Sequence, residues 1–429
     1  MKVLALFAII AWLGASSLKL PPTLNRPVGA AYLGALDAEL KTVLDDVEFK
    51  RDNPEEWLSV ERLRESIKKQ ELLPTFEPYF AAPLGLGSWG PELSLPVARS
   101  AFDVLMAKAL NYESRGFDPL VELKVGRLGS PEAIAFIESI AVRLIDIIDD
   151  EQVRKSLETV LLIALFADAE DLLAPPSRSP DSAIRSPRER RNSFFQSVEA
   201  RRARLLNGEV GLNELVEALA SGDGTGRVDL VPGEPGPSLV GDLLLTHALL
   251  TLRCCDSVVM HCPSFPLGLR GSTALDVAGH IAHLADPRKS DLWAVHHLGE
   301  ALRMHVERGS LRFVEDSFWG MAHVPLDELP SDSALAASFA GSKIVVIKGD
   351  HNYRRLLSER DWPLGAQVEE AMRFSAVKPP ARVHALRVIK SRICCGLSPS
   401  AQQRAMDSDA TWLESGWWAL VQSTGGERE

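Results

Sequence analysis

The sequence predicts an α/β protein: an N-terminal helical bundle followed by a three-layer α/β/α domain with a mainly parallel sheet. Three observations point there. Between residues 36 and 166 apolar residues recur at three- and four-residue spacing, the period of helices that bury one face. From Val228 onward short apolar runs alternate with helical patterns, as in chains that wind strand, helix and parallel strand in turn. Finally, Ile344-Val345-Val346-Ile347 is an unbroken β-branched run, suited to a strand covered on both faces.

Residues 1–17 come first. Met1-Lys2, the apolar run Val3 to Leu13 and the small residues Gly14 to Ser17 have the charge, core and exit of a secretory signal peptide. A buried N-terminal helix is the other reading. The helical domain is expected over 18–174, with helices at Leu36 to Asp46, Glu55 to Leu73, Val97 to Leu110, Pro131 to Ile148 and Gln152 to Phe166. Pro54 and Pro131 suit first-turn positions, where the missing N–H is not needed. Residues 175–193 are rich in proline, serine and arginine and cannot pack a core, so a basic loop is expected there.

The α/β domain is expected over 194–429. Its candidate strands are Val228 to Val231, Asp256 to His261, Arg312 to Val314, Lys343 to Lys348 and Arg392 to Cys395. Helices Leu239 to Arg253, Ala274 to Leu284 and Ser290 to Arg308 lie between them. Gly222, Gly224 and Gly226 precede a strand instead of following it, which argues against a dinucleotide fingerprint.

With 429 residues, 46% of them hydrophobic and 24% charged, the chain is long enough for a large core. The formal charge of -11 disfavours nucleic acid as a partner. No apolar run reaches the roughly 18 residues of a membrane span. Five cysteines, two adjacent pairs among them, do not resemble a disulfide framework. All ten histidines lie between His247 and His384. His280 and His283 share a helical face, and His296, His297 and His305 fall on another expected helix, which invites a test for Zn²⁺ or Ni²⁺ binding, while His261 and His351 at strand ends are candidate acids or bases.

Chemistry concentrates after the Ile344–Ile347 strand. Gly349 permits a sharp turn, and Lys348, Asp350, Asn352, Tyr353 and Arg354 are expected on one loop beyond a strand's carboxyl end, at a sheet edge, where a phosphorylated polar ligand would suit them. KGDHNYRRL followed by ERDWP is similar to the signature of the metal-dependent damage-control phosphatase family, in the sugar-phosphate branch once described as acidic-residue methyltransferases. Leu386-Arg387-Val388-Ile389-Lys390 resembles that branch's Arg-Thr-x-Lys motif, with valine in place of threonine. Upstream, Phe117-Asp118-Pro119-Leu120 with Lys124, and Asp171-Leu172, resemble weaker family segments.

The resemblance implies Asp350 and Lys348 as catalytic groups and Asp350, Asn352, Tyr353, Arg354, Arg387 and Lys390 as the substrate set. It also implies a divalent cofactor, Mn, Ni, Co or Mg, held by an Asp-Asn pair and a later aspartate. On the implied alignment Gly233 replaces that aspartate, Glu234 the asparagine, Ser238 a substrate-contacting glutamate and Gly271 the last ligand. Glu234 is the one carboxylate left for a metal. The expectation is therefore a diverged phosphatase acting on a sugar phosphate or related phosphometabolite if a metal is still bound. The alternatives are a noncatalytic relative that binds a phospholigand or partner without cofactor, and an enzyme recruited to another pathway. The family implies the cytoplasm; residues 1–17 alone imply the secretory pathway.

Overall fold

A computed structural model describes residues 30–71, 95–115, 118, 120–142, 144, 148, 150–168, 200–221, 224–268, 270–321, 326, 333–372 and 382–424. Segments 1–17 and 175–193, and Asp171-Leu172, lie outside the described residues.

Helices α1 (Ala30–Leu44), α2 (Val47–Asp52), α3 (Pro54–Lys68) and α4 (Leu95–Ala109) come first. Asp46 caps α2, its carboxylate accepting from the Phe49 N–H at 2.9 Å, and Pro54 opens α3. Leu36, Leu40, Val60, Ile67 and Phe102 form their shared core, which Phe265 and Leu267 join from a loop of the sheet domain. After α5 (Tyr112–Arg115) and α6 (Val121–Gly126) come a 3₁₀ turn at Arg127–Gly129, α7 (Pro131–Val142), α8 (Val153–Ala167) and α9 (Val210–Ala220). Helix α8 is buried without a break from Val160 to Ala167. Its apolar circumference reflects enclosure on all sides, in the core that fills one face of the sheet.

Strands β1 (Arg227–Val231), β2 (Ser257–Pro263), β3 (Leu311–Asp316), β4 (Ser342–Lys348), β5 (Arg382–Val388) and β6 (Ala419–Ser423) form one sheet among the described residues, in the order β3-β2-β1-β4-β5-β6. The first five are mutually parallel and β6 is antiparallel to β5. Alternation sorts their side chains. Val228, Leu230, Met260, Val346 and Leu386 face α8, α10 (Pro237–Thr251), α11 (Ala274–Ala285) and α12 (Trp293–Glu307). Val231, Val345, Ile347 and Ala385 face the opposite layer, which carries Phe339, Tyr353, Leu356 and Trp362. Helices cover both faces, as a parallel sheet requires.

Several expectations are corrected. The strand placed at Arg392 to Cys395 is at Arg382–Val388; Ile393, Cys394 and Cys395 are buried in irregular chain beyond it, where an apolar run marks burial and not extension. Strand β6 and the helix Pro399–Ser408, where the Ser398 hydroxyl accepts from the Ala401 N–H, lie outside the candidate strands and helices placed by pattern. The polar stretch after β4 is a helix, Asp350–Leu356, and not a loop. Strand β4 lies inside the sheet between β1 and β5, so the stretch sits at the point where strand order reverses and not at an edge. All five cysteines are buried free thiols.

Candidate active site

Two loops meet at the carboxyl ends of β1 and β4. After β1, Pro232 to Gly236 lead into α10, with Gly236 at φ 107°, a conformation that favours glycine. After β4, Gly349 at φ 92° turns the chain into Asp350–Leu356 while its N–H donates to Leu386 O at 2.9 Å. Asn352 ties the loops together: its Nδ2 donates to Pro232 O at 2.7 Å and Lys348 O at 2.8 Å.

Lys348 stands at the centre, fully buried. Its ammonium donates to Ser238 O at 2.7 Å and Oγ at 2.8 Å, and pairs with Asp242 at 2.9 Å and Asp168 at 3.5 Å. Ser238 Oγ in turn donates to Asp168. The second Asp242 oxygen accepts from the Gly233 N–H at 2.8 Å. Burial pushes the Asp242 carboxyl up to about 6 against the pull of Lys348 and of the Gly233 N–H. A Cβ at Gly233 would overlap Ser238 Oγ and stand 3.3 Å from Asp168 Oδ1 and 3.4 Å from Lys348 Nζ. At Gly271 a Cβ would stand 2.6 Å from Leu267 Cδ1. Ser272 Oγ donates to Gly233 O at 2.6 Å and closes this side. Glu234 is half-buried beside Gly233, with its carbonyl accepting from the Leu239 N–H at 3.1 Å. Among the described residues no three His, Cys, Asp or Glu side chains are grouped to hold a metal ion. The residues around Gly233 suit the ammonium already seated there and do not fit a divalent cation as well.

A second cluster lies toward β5. Asp350 Oδ1 accepts from Arg387 Nε at 2.9 Å and Nη2 at 2.7 Å, from the Lys390 N–H at 3.0 Å and from Ser391 Oγ at 3.2 Å. Burial alone would raise the Asp350 pKa, but Arg387, Arg354 and the Lys390 N–H outweigh it and hold the carboxyl below its usual range. Arg387 is fully buried, lies 4.3 Å over the Tyr353 ring and donates to Ile393 O at 2.5 Å and Ser391 O at 2.8 Å. Tyr353 is buried too; its hydroxyl donates to Gln422 Oε1 at 2.7 Å, and Gln422 Nε2 donates to Cys395 O at 2.8 Å. Arg354, its side chain 31% exposed, pairs with Glu359 at 2.8 Å and lies within electrostatic reach of Asp350 and Arg387. Lys390 is half-buried, its stem passing Gly416.

The sequence-predicted residues therefore assemble around one reversal point in two groups, Lys348 with Asn352 and Gly233, and Asp350 with Tyr353, Arg354, Arg387 and Lys390. Asp168, Gln422, Glu359 and Ser391 were missed. Asp168 had one signal, a carboxylate directly after the apolar run Val160 to Ala167; Gln422 had none, because its partners arrive from 27 and 69 residues away. The histidines disperse. His261 is fully buried, bonded to Asp229 at 2.7 Å and stacked on Phe339 at 4.1 Å. His351 is pushed down to about 3, by burial first and then by Arg354 and Arg355, so it is neutral near pH 7. His280 accepts from the Gly236 N–H at 2.8 Å. On α12, His296 faces Glu300, His297 stacks on Trp293 and His305 faces His247, so those three do not converge.

Against known proteins, the damage-control phosphatase ARMT1-like domain model matches residues 35–405. Damage-control phosphatase ARMT1 of Xenopus tropicalis is 27% identical over 196 residues, 46% of this chain and 43% of that protein. The Mus musculus protein of the same name is 26% identical over 200 residues, covering 46% and 44%. The matched stretches thus span less than half of these relatives. A DUF89 family protein from Pyrococcus horikoshii aligns in structure over 88% of this chain and 94% of its own, at 10% identity and a TM-score of 0.39.

Proposed function

The chain belongs to the damage-control phosphatase ARMT1-like domain family, and from that premise we propose that it binds a small phosphorylated metabolite of the sugar-phosphate class without a divalent metal and without rapid hydrolysis. One observation carries the reading: the Lys348 ammonium is held by Asp242, Asp168 and Ser238, and the Ser238 hydroxyl in that cluster stands where a side chain at position 233 would begin.

A buried divalent cation needs several converging oxygen ligands, and an ammonium in their midst repels it. Lys348 and Asp350, the candidate catalytic pair, serve here as internal counter-charges, Lys348 to Asp242 and Asp168 and Asp350 to Arg387. Asn352, Tyr353 and Arg387 likewise brace the loops. Arg354, which pairs with Glu359 at 2.8 Å, and Lys390 are the half-buried cations on the Asp350 side, and they are the groups offered to a phosphate. Glu234 is the carboxylate through which Mn, Ni, Co or Mg would have to bind, and one carboxylate is too few to anchor them.

Elemental mass spectrometry of the purified protein, with calorimetry and phosphate release on glucose 6-phosphate, tests this. Saturable binding in chelator, weakened about tenfold in Arg354→Gln or Lys390→Gln as for loss of one charge-assisted hydrogen bond, is the expected result. Stoichiometric metal with metal-dependent phosphate release would overturn the metal-free half, and no binding with or without metal would overturn the ligand half.

A further inference from the structure

Away from the candidate active site, α6, the Arg127–Gly129 turn, α7 and α11 enclose a cleft of about 480 Å³, a volume suited to a small organic molecule. Val125, Leu128 and Ile134 give it apolar walls, and Gly279 contributes bare backbone. Ile134 is 37% exposed on the cleft wall. The polar groups gather at one side. His283 Nδ1 is buried with no hydrogen-bond partner among the described residues, and the Lys289 side chain is exposed at the mouth. Of the nearby carboxylates, Asp286 is engaged by Arg288 Nε and Nη2 at 2.9 and 2.8 Å, and Glu138 shares a smaller adjoining recess with His283 and Lys289.

We propose that this cleft is a second ligand site, for an apolar carboxylate whose hydrocarbon body lies against Val125, Leu128 and Ile134 and whose carboxylate meets Lys289 and the His283 Nδ1–H. With Nδ1 protonated, the His283 imidazole and Lys289 both donate, and a carboxylate supplies an acceptor to both. The apolar walls exclude a small inorganic anion as the natural occupant, since such an ion would leave them facing water.

The cleft is also wired to the β1–α10 loop. On α11, Gly279 and His283 form one stripe and Asp276 and His280 the stripe beside it, each pair one turn apart. His280 Nε2 holds the Gly236 N–H at 2.8 Å. Asp276, with Asp118, holds the Lys124 ammonium of α6 at 2.9 and 2.7 Å. Arg127, in the turn that lines the cleft, packs its stem on Gly236, 3.9 Å from the Cβ position there. Val125 Cγ2 stands 3.3 Å from a Cβ position at Gly279, so α6 and α11 touch at the cleft floor. An occupant that shifts α6 against α11 changes the setting of Gly233 to Gly236, through contacts that differ between the filled and empty states. This site stands whether or not the active-site loops bind phosphate.

The probe is decanoate, compared with decylamine and 1-decanol on the full chain by calorimetry, with hydrogen exchange of residues 232–236 followed in parallel. Decanoate should bind one to one and about tenfold tighter than decylamine, the preference reversing in Lys289→Glu, which lies on the surface and leaves the core intact. Gly279→Leu, which fills the cleft, should abolish binding. Absence of saturable decanoate binding, or equal binding in wild type and Lys289→Glu, overturns the site. Binding that leaves the exchange of 232–236 unchanged overturns the coupling alone.

Discussion

Replacing Lys348 with methionine removes the ammonium and keeps most of the stem. The lysine is fully buried and faces Asp242 at 2.9 Å and Asp168 at 3.5 Å. With an effective dielectric constant of about 20, those separations correspond to attractions of about 6 and about 5 kcal/mol. Desolvating the three ions cancels a large part of that sum, and breaking a buried pair from one side costs about 3–5 kcal/mol because the partner charges are left without compensation. Urea unfolding should therefore show Lys348→Met less stable by about that amount, with an unchanged m-value. Adding Asp242→Asn removes the larger uncompensated charge while the amide oxygen can still accept from the Gly233 N–H. The double variant should regain about 1–3 kcal/mol, a coupling within the range for residues in direct contact. A loss below about 1 kcal/mol in the single variant, or a double variant no better than the single, would refute a charge-compensated centre and remove the ground for a metal-free site.

Two further outcomes follow from burial and packing. His280 is fully buried and pushed down to about 4, by burial above all. The unfolded chain takes up its proton near 6.5 and the folded chain only near 4, so its contribution is complete above 6.5 and is lost as pH falls toward 4, at about 1.4 kcal/mol per pH unit. Denaturation of His280→Gln between pH 7 and 4 should show a slope shallower by about one proton than wild type; parallel slopes would mean His280 is not buried neutral. At Gly299, where α12 crosses α11, a Cβ would stand 2.5 Å from Leu284 C and 2.6 Å from Ala285 Cα. Gly299→Ala should cost about 1–3 kcal/mol by thermal melting, and a stabilisation, as helix propensity alone would give, would show that the helices can part.

The β1 and β4 strands, the alternation around them and the gathering of the KGDHNYR and RVIK stretches at one place were legible, because strand periodicity and a Gly after an apolar run are local signals. What the sequence hid was non-local. Asp350 to Leu356 is helical because the carboxylate, amide and phenol each find partners from β5, β6 and the β1 loop, and the isolated heptapeptide carries no such instruction. Ile393 to Cys395 read as strand because apolar runs record burial, which irregular chain also provides. The substrate set was found by resemblance, yet the inward use of Lys348, Tyr353 and Arg387 depends on Asp168 and Gln422, whose spacing from them no motif encodes.

Strand β6 has a consequence for synthesis. Its outer edge is met by the chain at 204–207: Leu206 N donates to Ala419 O, Ala419 N to Arg204 O and Asn207 Nδ2 to Val421 O, the last pair 214 residues apart. At about 5–20 residues per second, the early segment leaves the ribosome roughly 10–40 s before its partner exists. During that interval Ala419 and Val421 are missing from the core face that α8 and α9 cover, and once Arg382–Val388 is made β5 presents an open edge until β6 follows. The antiparallel strand is thus made after the other five and closes the sheet against a segment synthesised long before it.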